Sequence, residues 1–250
     1  ARLTEQIRNC LLIHQQPQAI PARQGVLDGR RVWRAPLLGD DRIFLRSDPE
    51  PQPGFSVDLL LDGSASRLHC QEIIAAQGFL LAKSLAACGI PVRVSSFCSL
   101  RGYTVLRILK DFPDRNAERK IFDYFAAGWN RDGLALRGMA PLLRDAPAEK
   151  RLLLLLTDAS PNDSHKIPPS DRVPLSRDYD GPAAVQDTAA QVRTLRQRGV
   201  RVAAIFMGES ASFPDARTIY GRDLVRIRRM DELAGAAGKL IQQEIAELSD

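Results

Sequence analysis

The chain has 250 residues, of which 44% are hydrophobic, 26% charged and 6% aromatic, and 35 basic against 30 acidic side chains leave a net charge of +5. This composition is globular rather than disordered or fibrous, and the length suits one α/β domain with a small extension. The longest aliphatic run, residues 152–156 (LLLLL), falls far short of the roughly 18 residues a membrane helix needs. No charged-then-apolar leader opens the chain, which argues against secretion, and the start at Ala1 rather than Met suggests a piece of a longer protein. Cys10, Cys70, Cys88 and Cys98 form no CxxC pair, so reduced thiols in a cytoplasmic protein are expected rather than a zinc cluster. His14, His69 and His165 form no HExxH or HxH pattern.

In residues 1–54, Leu3, Ile7, Leu11 and Leu12 have helical spacing, residues 26–38 are expected to contain a second short helix, and residues 42–46 suggest a strand. Residues 48–54 (DPEPQPG) read as a stiff connector. The segment holds too little apolar residue to fold alone and is expected to pack, as an N-terminal helical arm, on a main domain over 55–250.

From residue 55 onward strands and helices alternate. Residues 57–61 form a short apolar strand, followed by a helix with Cys70, Ile74, Leu81, Leu85 and Cys88 on one face, stopping at Gly89. Strands at 92–97 and 104–109, joined by a turn at Arg101 and Gly102, should be antiparallel neighbours. Residues 117–126 and 134–143 read as helices, and 152–156 as a buried central strand. The polar loop 159–181 carries Pro161, Pro168, Pro169 and Pro174, and its length points to function. Pro182 opens a helix with Val185, Ala189, Val192 and Leu195 on one face. Residues 200–206 and 224–227 read as strands, and Asp231 as the cap of a closing helix that turns Leu233, Ala237, Ile241 and Ile245 inward. The expected fold is α/β and doubly wound, with a mostly parallel central sheet, one antiparallel edge strand and helices on both faces.

In such sheets ligands bind beyond the carboxyl ends of the strands. The first strand ends DGSAS, so Asp62, Ser64 and Ser66 offer a carboxylate and two hydroxyls at alternate positions of one turn. Asp158 ends the central strand, and Asn130 and Asp132 precede a helix that can close the site from a third side. Singly, Asp62 and Ser64 serve equally well as helix caps and Asp158 as a turn residue. Together they make a hard-oxygen set suited to Mg²⁺, with Mn²⁺ or Ca²⁺ as alternatives.

The DxSxS of Asp62, Ser64 and Ser66, the loop before Gly133, and Thr157–Asp158 resemble a von Willebrand factor type A domain with its metal-ion-dependent adhesion site. The resemblance covers about residues 55–248 and implies Asp62, Ser64, Ser66 and Asp158 as ion ligands. Asn130 stands where that family usually has threonine, a departure that leaves a carbonyl oxygen as donor, with Asp132 as a direct or water-mediated ligand. A closer similarity is to the branch in cobaltochelatase subunits and nitric oxide reductase activation proteins. It is carried by residues 41–44 (DRIF), 130–137 (NRDGLALR), 156–163 (LTDASPND) and 179–188. The branch implies a non-catalytic adaptor working with a MoxR-type AAA+ ATPase, its ion binding an Asp or Glu of a partner or client protein.

Two other classes compete. A haloacid-dehalogenase-type phosphotransferase also places Asp at a strand end, but needs a second acid two residues on, where Ser64 stands. GxSxG, GxxxxGK[ST] and GxGxxG motifs are all missing. Nucleic-acid binding rests on Arg30, Arg31, Arg226, Arg228 and Arg229, and on Arg193, Arg196, Arg198 and Arg201, a set better explained as a solvated face. Neither nucleic acid nor membrane is expected as a partner.

Overall fold

A computed structural model describes residues 2–14, 19–47, 54–114, 117–171 and 173–247. The chain begins with α1 (Arg2–His14), β1 (Ala19–Ala22), β2 (Val26–Leu27), α2 (Arg34–Leu38) and β3 (Phe44–Ser47). There follow β4 (Phe55–Asp62), α3 (Gln71–Ala87), β5 (Val92–Leu100), β6 (Tyr103–Lys110), α4 (Asp132–Arg144) and β7 (Lys150–Thr157). The rest comprises β8 (Asp163–Ile167), β9 (Arg177–Tyr179), α5 (Gly181–Gln197), β10 (Val200–Phe206), α6 (Phe213–Tyr220), β11 (Leu224–Arg226) and α7 (Leu233–Glu247).

The central sheet runs β11-β10-β7-β4-β5-β6. Its pairings are parallel except at the β5–β6 edge, where the turn at Arg101 and Gly102, both at positive φ, reverses the chain. All eight residues of β4 are buried, so both faces of this strand are covered. The pleat divides its side chains. Val57, Leu59 and Leu61 join a core with α1, α3 and α7, whereas Leu60 joins a second core with α4, α5 and α6. Each such buried leucine contributes about 1.5–3 kcal/mol. Helices α4 and α5 meet that second core through stripes at helical spacing: Ala135, Leu136, Met139 and Leu143, then Val185, Ala189, Val192 and Leu195. The α/β, doubly wound arrangement with one antiparallel edge strand is the one the sequence predicts.

Other segments differ from expectation. Residues 26–38 do contain a short helix, α2 at Arg34–Leu38, but ahead of it Val26–Leu27 pair with β3, and Asp28 turns the chain by accepting from the Arg30 amide. β1, β3 and β2 form a small antiparallel sheet. The connector at 48–53 lies outside the described residues. Leu3, Ile7 and Leu11 of α1 are buried in the same core as α3 and α7. Residues 117–126 form only a 3₁₀ turn, Glu118–Asp123, because the following backbone is drawn to the sheet edge instead. The loop 159–181 contains the β8–β9 hairpin, and α6 occupies a stretch where no helix was expected. Asp231 is not the cap of α7. It pairs with Arg229, within a 3₁₀ turn (Met230–Glu232) that precedes the helix. Of the arginines read as a solvated face, Arg196 donates to the Val202 and Tyr220 carbonyls and pairs with Asp223, and Arg201 pairs with Asp223 and Glu244.

Candidate metal centre

Register brings the site together. Leu61 of β4 sits opposite Leu156 of β7, so Asp62 and Thr157 end neighbouring strands at the same level, with Asp158 just beyond. The turn after Asp62 is pressed against the end of β5: a Cβ on Gly63 would lie 2.9 Å from the Phe97 carbonyl oxygen, so only glycine fits without a shift. The 117–131 segment clamps the same turn. The Tyr124 hydroxyl donates to the Asp62 carbonyl at 2.5 Å, the Ala127 amide to Gly63 at 2.7 Å, and the Ala65 amide to Gly128 at 3.0 Å. These bonds explain why the segment leaves helical geometry after residue 123.

The predicted residues converge. The Ser64 amide donates to Asp62 Oδ1 at 2.8 Å, the Ser64 and Ser66 hydroxyls are 2.9 Å apart, and Ser66 Oγ donates to Asp158 Oδ2 at 2.9 Å. Asn130 Nδ2 donates to Asp158 Oδ1 at 3.3 Å, while its backbone bridges to Asn162 in both directions. Asp132, at the start of α4, stands one step away, its Oδ2 accepting from Thr157 Oγ1 at 3.5 Å. Asp62, Ser64, Asn130, Asp132 and Asp158 are all buried, and Ser66 is exposed at the mouth.

The electrostatics are unbalanced. Burial, then the negative charge of Asp158, pushes the Asp62 carboxyl up to about 7. Burial, then Asp62 and Asp158, raises Asp132 well above the carboxylate range. Asp62 Oδ2 and Asp132 Oδ1 are buried with no hydrogen-bond partner. Buried polar atoms without partners also occur elsewhere, at Asp58 Oδ2 and Arg93 Nη2 among others; what sets this pair apart is that both are carboxylate oxygens beside a third carboxylate, Asp158. Among the described residues no group of three or more His, Cys, Asp or Glu side chains forms an ion cage, so the donor set depends on the serine hydroxyls.

Sequence reasoning missed Arg67. Its guanidinium donates to Asp158 Oδ2 at 2.9 Å, to Ser66 Oγ at 3.3 Å and to the Met207 carbonyl at 3.2 Å, tying the β4 turn to the ends of β7 and β10. The signal was present, a basic residue directly after DxSxS, but its burial is set by β10, far away in sequence. The β8–β9 hairpin adds a buttress: Arg131 stacks 4.4 Å from the centroid of the Tyr179 ring and pairs with Asp163. A Cβ on Gly133 would fall 2.1 Å from Asp187 Oδ2, so any larger residue there would push the Asp187 side chain aside.

Comparison with known proteins bears on the fold. No protein-family model matches the chain. It is 29% identical to protein NorD of Brucella abortus (strain 2308) over 184 residues, 70% of this chain and 27% of that protein. The chain therefore spans only about a quarter of the NorD length. The vWF domain of the type V pili tip protein Mfa5 from Porphyromonas gingivalis superposes with a TM-score of 0.56 at 13% identity, over 78% of this chain and 96% of that one. The manganese-loaded TRAP protein of Plasmodium vivax gives a TM-score of 0.54 at 21% identity, over 76% and 74% of the two chains. At such identities the structural likeness concerns the fold alone. The chain has the fold of a von Willebrand factor type A domain and is similar in sequence to NorD over 70% of its length.

Proposed function

We propose that this protein is a non-catalytic, metal-ion-dependent interaction module. In this reading Asp62, Ser64, Ser66 and Asp158 hold Mg²⁺, with Mn²⁺ or Ca²⁺ as substitutes, and Asn130 and Asp132 complete the shell directly or through water. The observation that carries it is the pair of buried, partnerless carboxylate oxygens, Asp62 Oδ2 and Asp132 Oδ1, beside two serine hydroxyls. These are hard oxygen donors of the kind Mg²⁺ takes, and their mutual repulsion is relieved by a divalent charge. A bound ion supplies an electrophilic seat for an outside carboxylate. The chain's own residues do the rest. The clamped turn fixes both hydroxyls, Thr157 orients Asp132, and Asn130 and the Ser160 amide orient Asp158.

The partner is then a protein offering Asp or Glu, either a client enzyme or a MoxR-type AAA+ ATPase acting in enzyme activation or cofactor insertion. The likeness to NorD and the manganese in the TRAP neighbour support this reading. The domain spans 55–250, with 1–54 as an arm packed against it. The setting is cytoplasmic, consistent with four free cysteines, and no helix among the described residues is long and apolar enough to cross a membrane.

The test is capture of a MoxR-type ATPase from the same genome, in Mg²⁺ and in chelator. Ion-dependent capture, lost in Asp62→Ala, is expected. Equal capture under both conditions contradicts the ion-bridged mode. A phosphatase screen with a generic ester addresses the enzyme alternative: no turnover is expected, and turnover abolished by Asp62→Asn would overturn the adaptor assignment.

A further inference from the structure

Asp158 has no acceptor capacity left. A carboxylate offers about four lone-pair sites. Here four donors fill them: Ser66 Oγ and Arg67 Nη2 on Oδ2, and Asn130 Nδ2 and the Ser160 amide on Oδ1. An ion can reach Asp158 only after one donor withdraws. The Ser160 amide is fixed in the backbone turn, and Ser66 and Asn130 are themselves placed to serve an ion.

Arg67 differs from them. It is a cation, 7% exposed, whose forked guanidinium suits carboxylates, and two of its three acceptors, Asp158 and Ser66, are proposed ion ligands. Beside it opens a cavity of about 780 Å³ whose walls include Met207, Glu209, Arg228 and Asp231. On those walls Asp231 is paired with Arg229, whereas Glu209 makes no ion pair among the described residues and is the carboxylate left for a withdrawn guanidinium, beside Arg228.

We propose that Arg67 is the resident cation of this site: its guanidinium holds Asp158 and Ser66 in place of a divalent ion, and ion entry displaces it into the adjoining cavity. The inference rests on the ion site proposed above and adds to it a competitor that sets ion affinity from within. Competition makes a prediction opposite to that of a merely structural arginine. Removing the guanidinium should weaken the ion-free fold, because Asp158 loses its counter-charge, yet strengthen ion binding.

The experiment is titration with Mn²⁺ alone by calorimetry, on wild type, Arg67→Met and Arg67→Lys, with thermal unfolding of each in chelator. Coupling between two ligands is typically worth about 5- to 150-fold, so Arg67→Met should bind Mn²⁺ at least about tenfold more tightly than wild type. It should also unfold at a lower temperature in chelator and gain more from added Mn²⁺. Arg67→Lys, which keeps the charge but not the fork, should fall between the two. Mn²⁺ binding by Arg67→Met alone supports the inference in its strongest form. Equal or weaker binding by Arg67→Met, with wild type binding normally, overturns it. Absence of binding in wild type and in a folded Arg67→Met overturns the ion site itself. Should Arg67→Met fail to fold, tighter binding by Arg67→Lys supports the inference and equal or weaker binding overturns it.

Discussion

Strand β4 buries two aspartates four residues apart, on the same face of the sheet, and they are built for different ends. Asp58 sits mid-strand opposite Arg93 of β5, whose Nε donates to its Oδ1 at 2.6 Å. Arg93 in turn lies 4.6 Å from the centroid of the Phe112 ring and 3.7 Å from Asp111. Burial pushes the Asp58 carboxyl up and Arg93 pulls it back; Asp58 Oδ2 and Arg93 Nη2 are themselves buried without partners, but here each acid has a guanidinium beside it. Asp62 ends the strand among three carboxylates, with Arg67 as the guanidinium that contacts the group. Burial of an acid therefore does not mark a site by itself. In the proposed function, unbalanced charge at the carboxyl edge of the sheet does.

The largest effect expected from this contrast is at the balanced pair. Asp58→Ala strands a buried guanidinium, and breaking such a pair typically costs about 3–5 kcal/mol. Urea denaturation should show that loss equally with and without Mg²⁺. A small loss, or one that Mg²⁺ rescues, would dissolve the distinction between the two aspartates. Asp62→Ala should behave in the opposite way. Its stability in chelator should stay within about 1 kcal/mol of wild type, since a repelled carboxyl is removed, a mild change among point mutants. Its Mn²⁺ affinity should fall by more than about a hundredfold, because even outer-shell partners of a metal are worth about 10- to 100-fold.

The pH response sharpens the contrast further. Asp62 has its folded-state value raised from 3.8 to about 7, so the folded protein binds this proton more tightly than the unfolded chain. The resulting stability is full below the unfolded value and is lost as pH rises through about 7. Denaturation in chelator should therefore show stability falling between acid and neutral pH, and the slope should flatten in Asp62→Asn. A profile identical in wild type and Asp62→Asn would place the titration elsewhere. The smallest effect belongs to Ser66→Ala. It removes one neutral donor and a hydrogen bond worth about 1 kcal/mol, so Mn²⁺ affinity should fall by roughly tenfold or less. A loss as large as that of Asp62→Ala would mean that Ser66, at the mouth, organises the site rather than Asp62.

That Asp62, Ser64, Ser66, Asn130, Asp132 and Asp158 meet at one edge of the sheet was legible in the sequence because each ends or follows an apolar strand or stands at the start of a helix, and such chemistry is local. The sheet was legible for the same reason: β4, β7 and β10 are short apolar runs bounded by turns. Arg67 was not. A basic residue at a turn reads as solvated, and only the Met207 carbonyl and Asp158, brought in by β10 and β7, bury it. The pairing of Asp58 with Arg93 was hidden likewise, since it depends on the β4–β5 register. The short β1–β3–β2 sheet, the β8–β9 hairpin and α6 escaped because their stretches are too short or too polar to carry a periodic pattern.

The unbalanced end of β4 is the proposed ion seat. Crystals of the protein grown with Mn²⁺, examined at the manganese absorption edge, test it most directly. An anomalous peak bounded by Asp62, Ser64 and Ser66, with the Arg67 guanidinium withdrawn from Asp158, is the expected result. A folded site with no peak there, and Arg67 still bound to Asp158 at saturating Mn²⁺, would contradict it.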